Sequence, residues 1–225
     1  MDMPATQPDS PVLRSDIEQM VREMLRARIG SPAPRTPVLR VDASARHCHL
    51  SRADLDALFG KGYELTVHRE LYQPGNFAAG ETVTIIGPRS RVISNLRILG
   101  PLRKQSQVEL AFTDAISLGI DAPIRLSGDI AGTAGCFLMG PKGMVELKEG
   151  VIRAAIHVHM NPDEAAYFRV QHKDFMKLRI GGAASVVFER VQVRVDPTTR
   201  LNVHMDTDEA NACGLHLTND YELYK

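Results

Sequence analysis

Tryptophan is absent from the 225 residues, and aromatic side chains make up only 5% of them. Proteins that hold single-stranded nucleic acid stack bases on aromatic side chains, and little of that material is present. An excess of one charge is missing too. Lys plus Arg and Asp plus Glu each number 27, so no basic surplus marks a nucleic-acid partner. Cysteine is scarce: Cys48, Cys136 and Cys213 are odd in number and lack a C-x-x-C spacing. That argues against a disulfide framework and predicts a reducing compartment. No apolar run reaches the ~18 residues of a membrane-spanning helix. The opening run Met1-Asp2-Met3-Pro4-Ala5 has neither a basic region nor an apolar core, so no secretory signal is expected.

What remains is ordinary globular composition, with 44% hydrophobic and 24% charged residues. The length accommodates one large or two small domains. Residues 1–10 are polar and proline-rich. Ser15 and Glu18 then form a capping-box pattern. Ile17, Met20, Val21, Met24 and Leu25 follow helical spacing, and Gly30 can end the helix. Residues 31–37 contain Pro32, Pro34 and Pro37 and read as a stiff linker. An amphipathic helix on such a tether is expected to dock on another protein.

From Val38 onward the pattern is mainly β. Segments 81–86, 108–112, 185–188 and 191–195 are short and β-branched, with Gly, Pro and Asn between them. Short strands at this density predict barrels or sandwiches rather than a βαβ array.

One pattern occurs twice. His47-Cys48-His49 and His157-Val158-His159 each place two imidazoles on one face of a strand, because residues i and i+2 share a face. The two runs align without a gap: Ala45 with Ala155, Leu50 with Met160, Ser51 with Asn161, Asp54 with Glu164. Each pair is followed by an N-cap and, three positions on, an acidic residue. A second match, with small gaps, pairs Val108-Glu109-Leu110 with Val203-His204-Met205. The expectation is an internal duplication: two related β-barrel domains at 38–145 and 146–225, after an N-terminal helix and linker at 1–37.

The duplication turns two pairs into two triads, His47, His49 and Glu109 in one copy and His157, His159 and His204 in the other. Three protein ligands with a fourth position open is the pattern of a catalytic metal site. Zinc suits these ligands, and iron, cobalt and nickel accept them as well. Arg103 lies in a turn six residues before Glu109, where its guanidinium can clamp a phosphate or carboxylate. Cys48 is expected to face away from its flanking histidines, into a core. The glycines of 127–135 and 140–143 match no phosphate-binding loop and read as tight turns.

The runs Ser44-Ala45-Arg46-His47-Cys48-His49-Leu50-Ser51, Leu99-Gly100-Pro101-Leu102-Arg103, His157-Val158-His159-Met160 and His204-Met205-Asp206-Thr207-Asp208-Glu209-Ala210-Asn211 together resemble the PduL-type phosphate propanoyltransferases of bacterial microcompartments. The resemblance implies a pair of β-barrels and a phosphotransacylase that interconverts acyl-CoA plus phosphate with acyl phosphate plus coenzyme A. It implies two zinc ions per chain on the six ligands above, and Arg103 as the phosphate-binding residue. It carries coenzyme A contacts onto Ala43, Ser44, Ala45, Arg89, Arg97 and Asn211. At the position of Ala45 the family also has Asn, and around Arg89 this chain is one residue longer. A homo-oligomer, dimer or higher, is implied as well. The N-terminal helix resembles the encapsulation peptides of microcompartment cargo. That implies docking on shell or cargo proteins and a place in the microcompartment lumen within the cytoplasm, in a pathway such as propanediol degradation. Two other readings of the residues stay open. His157-x-His159-x4-Glu164 fits a cupin spacing, hence a cupin-like metalloenzyme or metal-dependent hydrolase. The triads also fit a non-catalytic, zinc-stabilised binding module.

Overall fold

The computed structural model describes residues 36–225 and, before them, Ile17, Glu18, Met20, Val21 and Met24. Residues 1–37 and 38–225 are separate compact units. In the first unit Ile17, Glu18, Met20, Val21 and Met24 are helical, and Ile17, Met20, Val21 and Met24 are exposed. The expected cap at Ser15, the stop at Gly30 and linker residues 31–35 lie outside the described residues.

The second unit begins β1 (Val41–Ser44), β2 (His47–His49), α1 (Arg52–Phe59), β3 (Val67–Glu70), β4 (Phe77–Ile86) and β5 (Val92–Gly100). It continues β6 (Gln107–Glu109), α2 (Phe112–Leu118), β7 (Ile124–Arg125), β8 (Ala134–Met139) and β9 (Met144–Ala154). The rest runs β10 (His157–Met160), α3 (Pro162–Phe168), β11 (Phe175–Ile180), β12 (Val186–Val195) and β13 (Asn202–Asp206). It ends with α4 (Thr207–Ala212), a 3-10 turn (Leu215–Leu217) and β14 (Tyr221–Tyr224). The chain is thus mainly β with short helices, as the punctuation predicts. Phe112 opens a helix rather than closing a strand.

Strands β4, β5, β2, β6, β9 and β8 form a closed ring, because β8 pairs with both β9 and β4. The other sheet runs β14-β11-β12-β10-β13-β1 and is a curled half-barrel with β1 and β14 at its edges. In the ring, β2 is parallel to β5 and antiparallel to β6, and β6 is parallel to β9. In the half-barrel, β10 is parallel to β12 and antiparallel to β13, and β13 is parallel to β1. Sheet membership cuts across the spans 38–145 and 146–225. β1 precedes the ring in sequence but belongs to the half-barrel, and β9 continues through residue 145 as one strand. The β1–β13 pairing is parallel and non-local, so no local pattern announces it.

Each sheet has its own core. Cys48, Leu50, Ile98, Val108, Leu138 and Val151 fill the ring. Val158, Met160, Leu178, Val193, Val203 and Met205 fill the half-barrel, joined by Val41 from β1. Alternation along β2 and β10 sends Cys48 and Val158 inward, so the flanking histidines project from the opposite face. At the end of β5, a Cβ on Gly100 would fall 2.1 Å from the Phe77 ring. A side chain there would have to displace the Phe77 ring. The two sheets are tied together. The Gln73 amide donates to the Arg200 carbonyl at 2.9 Å and accepts from the Arg200 N–H at 3.0 Å. Thr113 donates through its backbone N–H and its hydroxyl to Asp208. Among the described residues no helix is long and apolar enough to cross a membrane.

Candidate metal and anion site

The two histidine pairs sit at corresponding places in the two sheets. On β2, His47 lies opposite Glu109 of β6. On β10, His157 lies opposite His204 of β13. In each group of three, the ligand atoms lie within 4.8 Å of one another. His47 Nε2 is 3.5 Å and His49 Nε2 is 3.8 Å from the Glu109 carboxylate. The Nε2 atoms of His157 and His159 are 3.1 Å apart.

The other ring nitrogens are held by backbone. His47 Nδ1 donates to the Ala45 carbonyl at 2.8 Å, and His157 Nδ1 does the same to Ala155 at 2.8 Å. His49 Nδ1 donates to the Leu99 carbonyl at 3.2 Å. A proton fixed on Nδ1 leaves a bare lone pair on Nε2, the tautomer that a metal ligand needs. The donor chemistry therefore fits a divalent metal ion at either group.

Electrostatics points the same way. Burial, together with the charges of His47 and Arg103, pushes His49 down to about 3. Burial, with the charge of His204, pushes His157 down to about 4. His159 and His204 are lowered as well, chiefly by burial. These rings are neutral and ready to coordinate. Burial disfavours a charge on Glu109, but His47, His49 and Ser127 outweigh it and hold the carboxyl well below its usual range. His47 is the exception: burial lowers it, yet the charge and hydrogen bond of Glu109 leave it raised. The Glu109 charge is also felt by His157, His159 and His204, so the two groups lie within electrostatic reach of each other.

Arg103 stands beside the first group. Its backbone N–H donates to the Leu50 carbonyl at 2.9 Å, which fixes the turn against the end of β2. Its guanidinium donates to the Ser127 hydroxyl at 2.8 Å, and that hydroxyl donates to Glu109 at 2.8 Å. The Gln107 amide also donates to Glu109, at 2.6 Å. Sequence reasoning assigned 127–135 only to turns. Gly128 and Gly132 do have positive φ, but Ser127, just ahead of them, bridges Arg103 to the Glu109 carboxylate.

Three more residues escaped the sequence reading. Asn202 lies opposite His159, and its amide donates to Asp42 at 3.0 Å and contacts His204 Nε2 at 2.9 Å. Its Oδ1 is buried without a partner among the described residues. Asp42 is thereby brought from β1 to the second group. Arg194 lies opposite His159 on the other side, on β12. None of the three has a sequence signal of its own, because what places them is register across strands.

The residues expected at coenzyme A divide. Ala43 and Asn211 line one cavity of about 480 Å³, together with Asp42, His216 and Tyr221, at the open seam between β1 and β14. Ser44 is next to Ala43 on β1, and Ala45 leads into β2. Arg89 and Arg97 do not line that cavity. Arg97 donates to the Ala79 and Gly80 carbonyls at 2.9 and 2.8 Å. The stem of Arg89 lies over Gly119, where a Cβ would come 2.8 Å from its Cδ. The cupin alternative loses its carboxylate. Glu164 accepts from the Asn161 N–H at 2.8 Å and from the Leu201 N–H at 3.3 Å, and so caps α3. Cys48, Cys136 and Cys213 are free and buried, as expected of small core residues.

A family model described as phosphate propanoyltransferase matches residues 40–216. A phosphate propanoyltransferase of Planctopirus limnophila is 48% identical over 226 residues, covering 95% of this chain and 92% of that protein. One from Thermotoga maritima is 49% identical over 181 residues, covering 80% of this chain and 86% of the relative. One from Listeria monocytogenes is 49% identical over 176 residues, covering 78% and 82%.

Proposed function

The chain belongs to the phosphate propanoyltransferase family, and from that premise we propose that it moves a short acyl group between coenzyme A and phosphate on a two-zinc site. The observation that carries the reading is a pair of three-ligand groups at corresponding strand positions, with Nε2 left bare on His47, His49 and His157, and a guanidinium tethered through Ser127 to Glu109. His47, His49 and Glu109 would hold one ion, and His157, His159 and His204 the other. Zinc bound there would take the coenzyme A sulfur as thiolate and polarise the thioester carbonyl.

The chain's own groups do the rest. Arg103 grips phosphate oxygens with its planar fork and offsets charge as the phosphate oxygen bonds to the acyl carbon. The carbon–sulfur bond then breaks, the sulfur leaves with its electron pair, and acyl phosphate and coenzyme A result. No enzyme nucleophile is required. Burial raises the Cys48 thiol and pushes Cys136 up to about 12, so neither is a thiolate near neutral pH. The cavity containing Ala43 and Asn211 is the proposed entry for coenzyme A, with Ser44, Ala45, Arg89 and Arg97 as further contacts. Propanoyl-CoA is the proposed substrate.

The matching strand orders and the matching positions of the histidine pairs favour descent of the two sheets from a duplication. The family favours a homo-oligomer. The exposed apolar residues Ile17, Met20, Val21 and Met24 favour docking of the N-terminal unit on a microcompartment shell or its cargo. Loss of co-sedimentation with shell on deleting residues 1–33 supports that reading, and unchanged co-sedimentation removes it. For the activity, thiol release from propanoyl-CoA is followed with and without phosphate. Release that requires phosphate and metal supports the transferase. Phosphate-independent release makes the protein a hydrolase, and no release leaves a binding module.

A further inference from the structure

We propose that Arg194 is a second phosphate-binding residue, gripping the attacking phosphate from the half-barrel while Arg103 holds it from the ring. The inference rests on the transferase reading and extends its phosphate subsite. Along β12, Val191 and Val193 are buried in the half-barrel core. Arg194 therefore projects from the opposite face. That is the face of His157 and His159, and His159 is its partner in the strand pairing. Its charge is felt by His157, His159, His204 and Arg103, and it feels Glu109 in turn. These groups come from both sheets, so Arg194, on the histidine face of β12, lies within electrostatic reach of both.

Arg194 is half-buried, yet among the described residues its guanidinium has no hydrogen bond and no ion pair. Its neighbours in kind are engaged. Arg97 donates to two carbonyls, Arg103 to Ser127 through one nitrogen, and Arg179 to Asp220 and Glu222. Asp196, two residues along, turns its Oδ1 to Thr198 instead. A partly desolvated guanidinium whose N–H donors have no hydrogen-bond partner is costly to keep. An anionic ligand at the site resolves that cost, and five N–H donors in a fixed fork suit tetrahedral phosphate. With Arg103, two guanidiniums from different sheets would match the two charges of a phosphate dianion.

The test uses Arg194→Gln and Arg194→Lys in the full chain loaded with zinc. Three quantities are read: KM for phosphate, KM for propanoyl-CoA, and the rise in Tm that inorganic phosphate produces. Loss of a charge-assisted contact predicts a phosphate KM raised ~10-fold or more in Arg194→Gln. The phosphate-induced rise in Tm should vanish, while bound zinc and the KM for propanoyl-CoA stay within ~2-fold. Arg194→Lys should recover part of the affinity, since a point charge replaces a fork. A phosphate KM and Tm response matching the parent in both variants overturns the proposal. A raised KM for propanoyl-CoA alone also overturns it, because Arg194 would then serve the phosphates of coenzyme A. If the parent protein shows no phosphate-dependent release, the transferase reading fails separately, and the Tm response still decides Arg194.

Discussion

At the scale of single residues, the site depends on which nitrogen carries a proton. The Ala45 and Ala155 carbonyls fix Nδ1–H on His47 and His157, and Asp42 reaches the second group through Asn202. Such outer partners commonly change metal affinity by ~10–100-fold when removed. Ser127 makes the sharpest case, because its one hydroxyl joins Arg103 to Glu109. Ser127→Ala should weaken zinc retention at the first group by ~10-fold, measured by competition with a chelator. Retention equal to the parent would remove that role. His157→Gln should cost one zinc equivalent per chain, counted by metal analysis, with the fold retained. The histidines were legible in the sequence because H-x-H is local. Glu109 and His204 were legible only through the internal alignment. Ser127, Asn202 and Arg194 were not, because each reaches the site across strands whose register no local pattern encodes.

At the scale of elements, caps decide where each histidine strand stops. Ser51 accepts from the Asp54 N–H at 3.2 Å, and Asn161 accepts from the Glu164 N–H at 2.9 Å. Asp206 and Glu209 form a third such cap. The first two were readable as polar residues three positions apart. Asn161→Ala should lower stability by about 1 kcal/mol in chemical denaturation. Glu209 adds a pH dependence. Burial foremost, with Asp206 and Asp208 nearby, raises it from 4.5 to about 7 in the fold. Between those values the folded state keeps a proton that the unfolded state has released, so this residue's contribution falls as pH rises. Glu209→Gln keeps the capping geometry without the charge. It should match the parent near pH 4.5 and exceed it above pH 7, by about 1–2 kcal/mol after allowance for partial exposure. Equal pH profiles of Tm for the two proteins would contradict this.

At the scale of the whole molecule, β1 is the element that the sequence least betrays. Its four residues pair with β13 and place Val41 in the second core. They also carry Asp42 to the second histidine group. The barrel class follows from short punctuated strands and needs no such knowledge. Membership of β1 depends on a contact about 160 residues away in sequence, as in the Asn202–Asp42 bond. Deleting residues 1–37 should leave Tm within ~2 °C, since 38–225 is a compact unit by itself. Extending the deletion through Ser44 should lower Tm by roughly 5 °C or more and release zinc from the second group. Equal Tm values for the two truncations would show that β1 is dispensable.

The fate of the acyl group distinguishes transfer to phosphate from hydrolysis. Phosphorus NMR of the zinc-loaded protein with propanoyl-CoA and inorganic phosphate reads this directly. The prediction is a propanoyl phosphate signal that grows one-for-one with released thiol and disappears when zinc is stripped. Thiol release accompanied by free propanoate and an unchanged phosphate signal would contradict it.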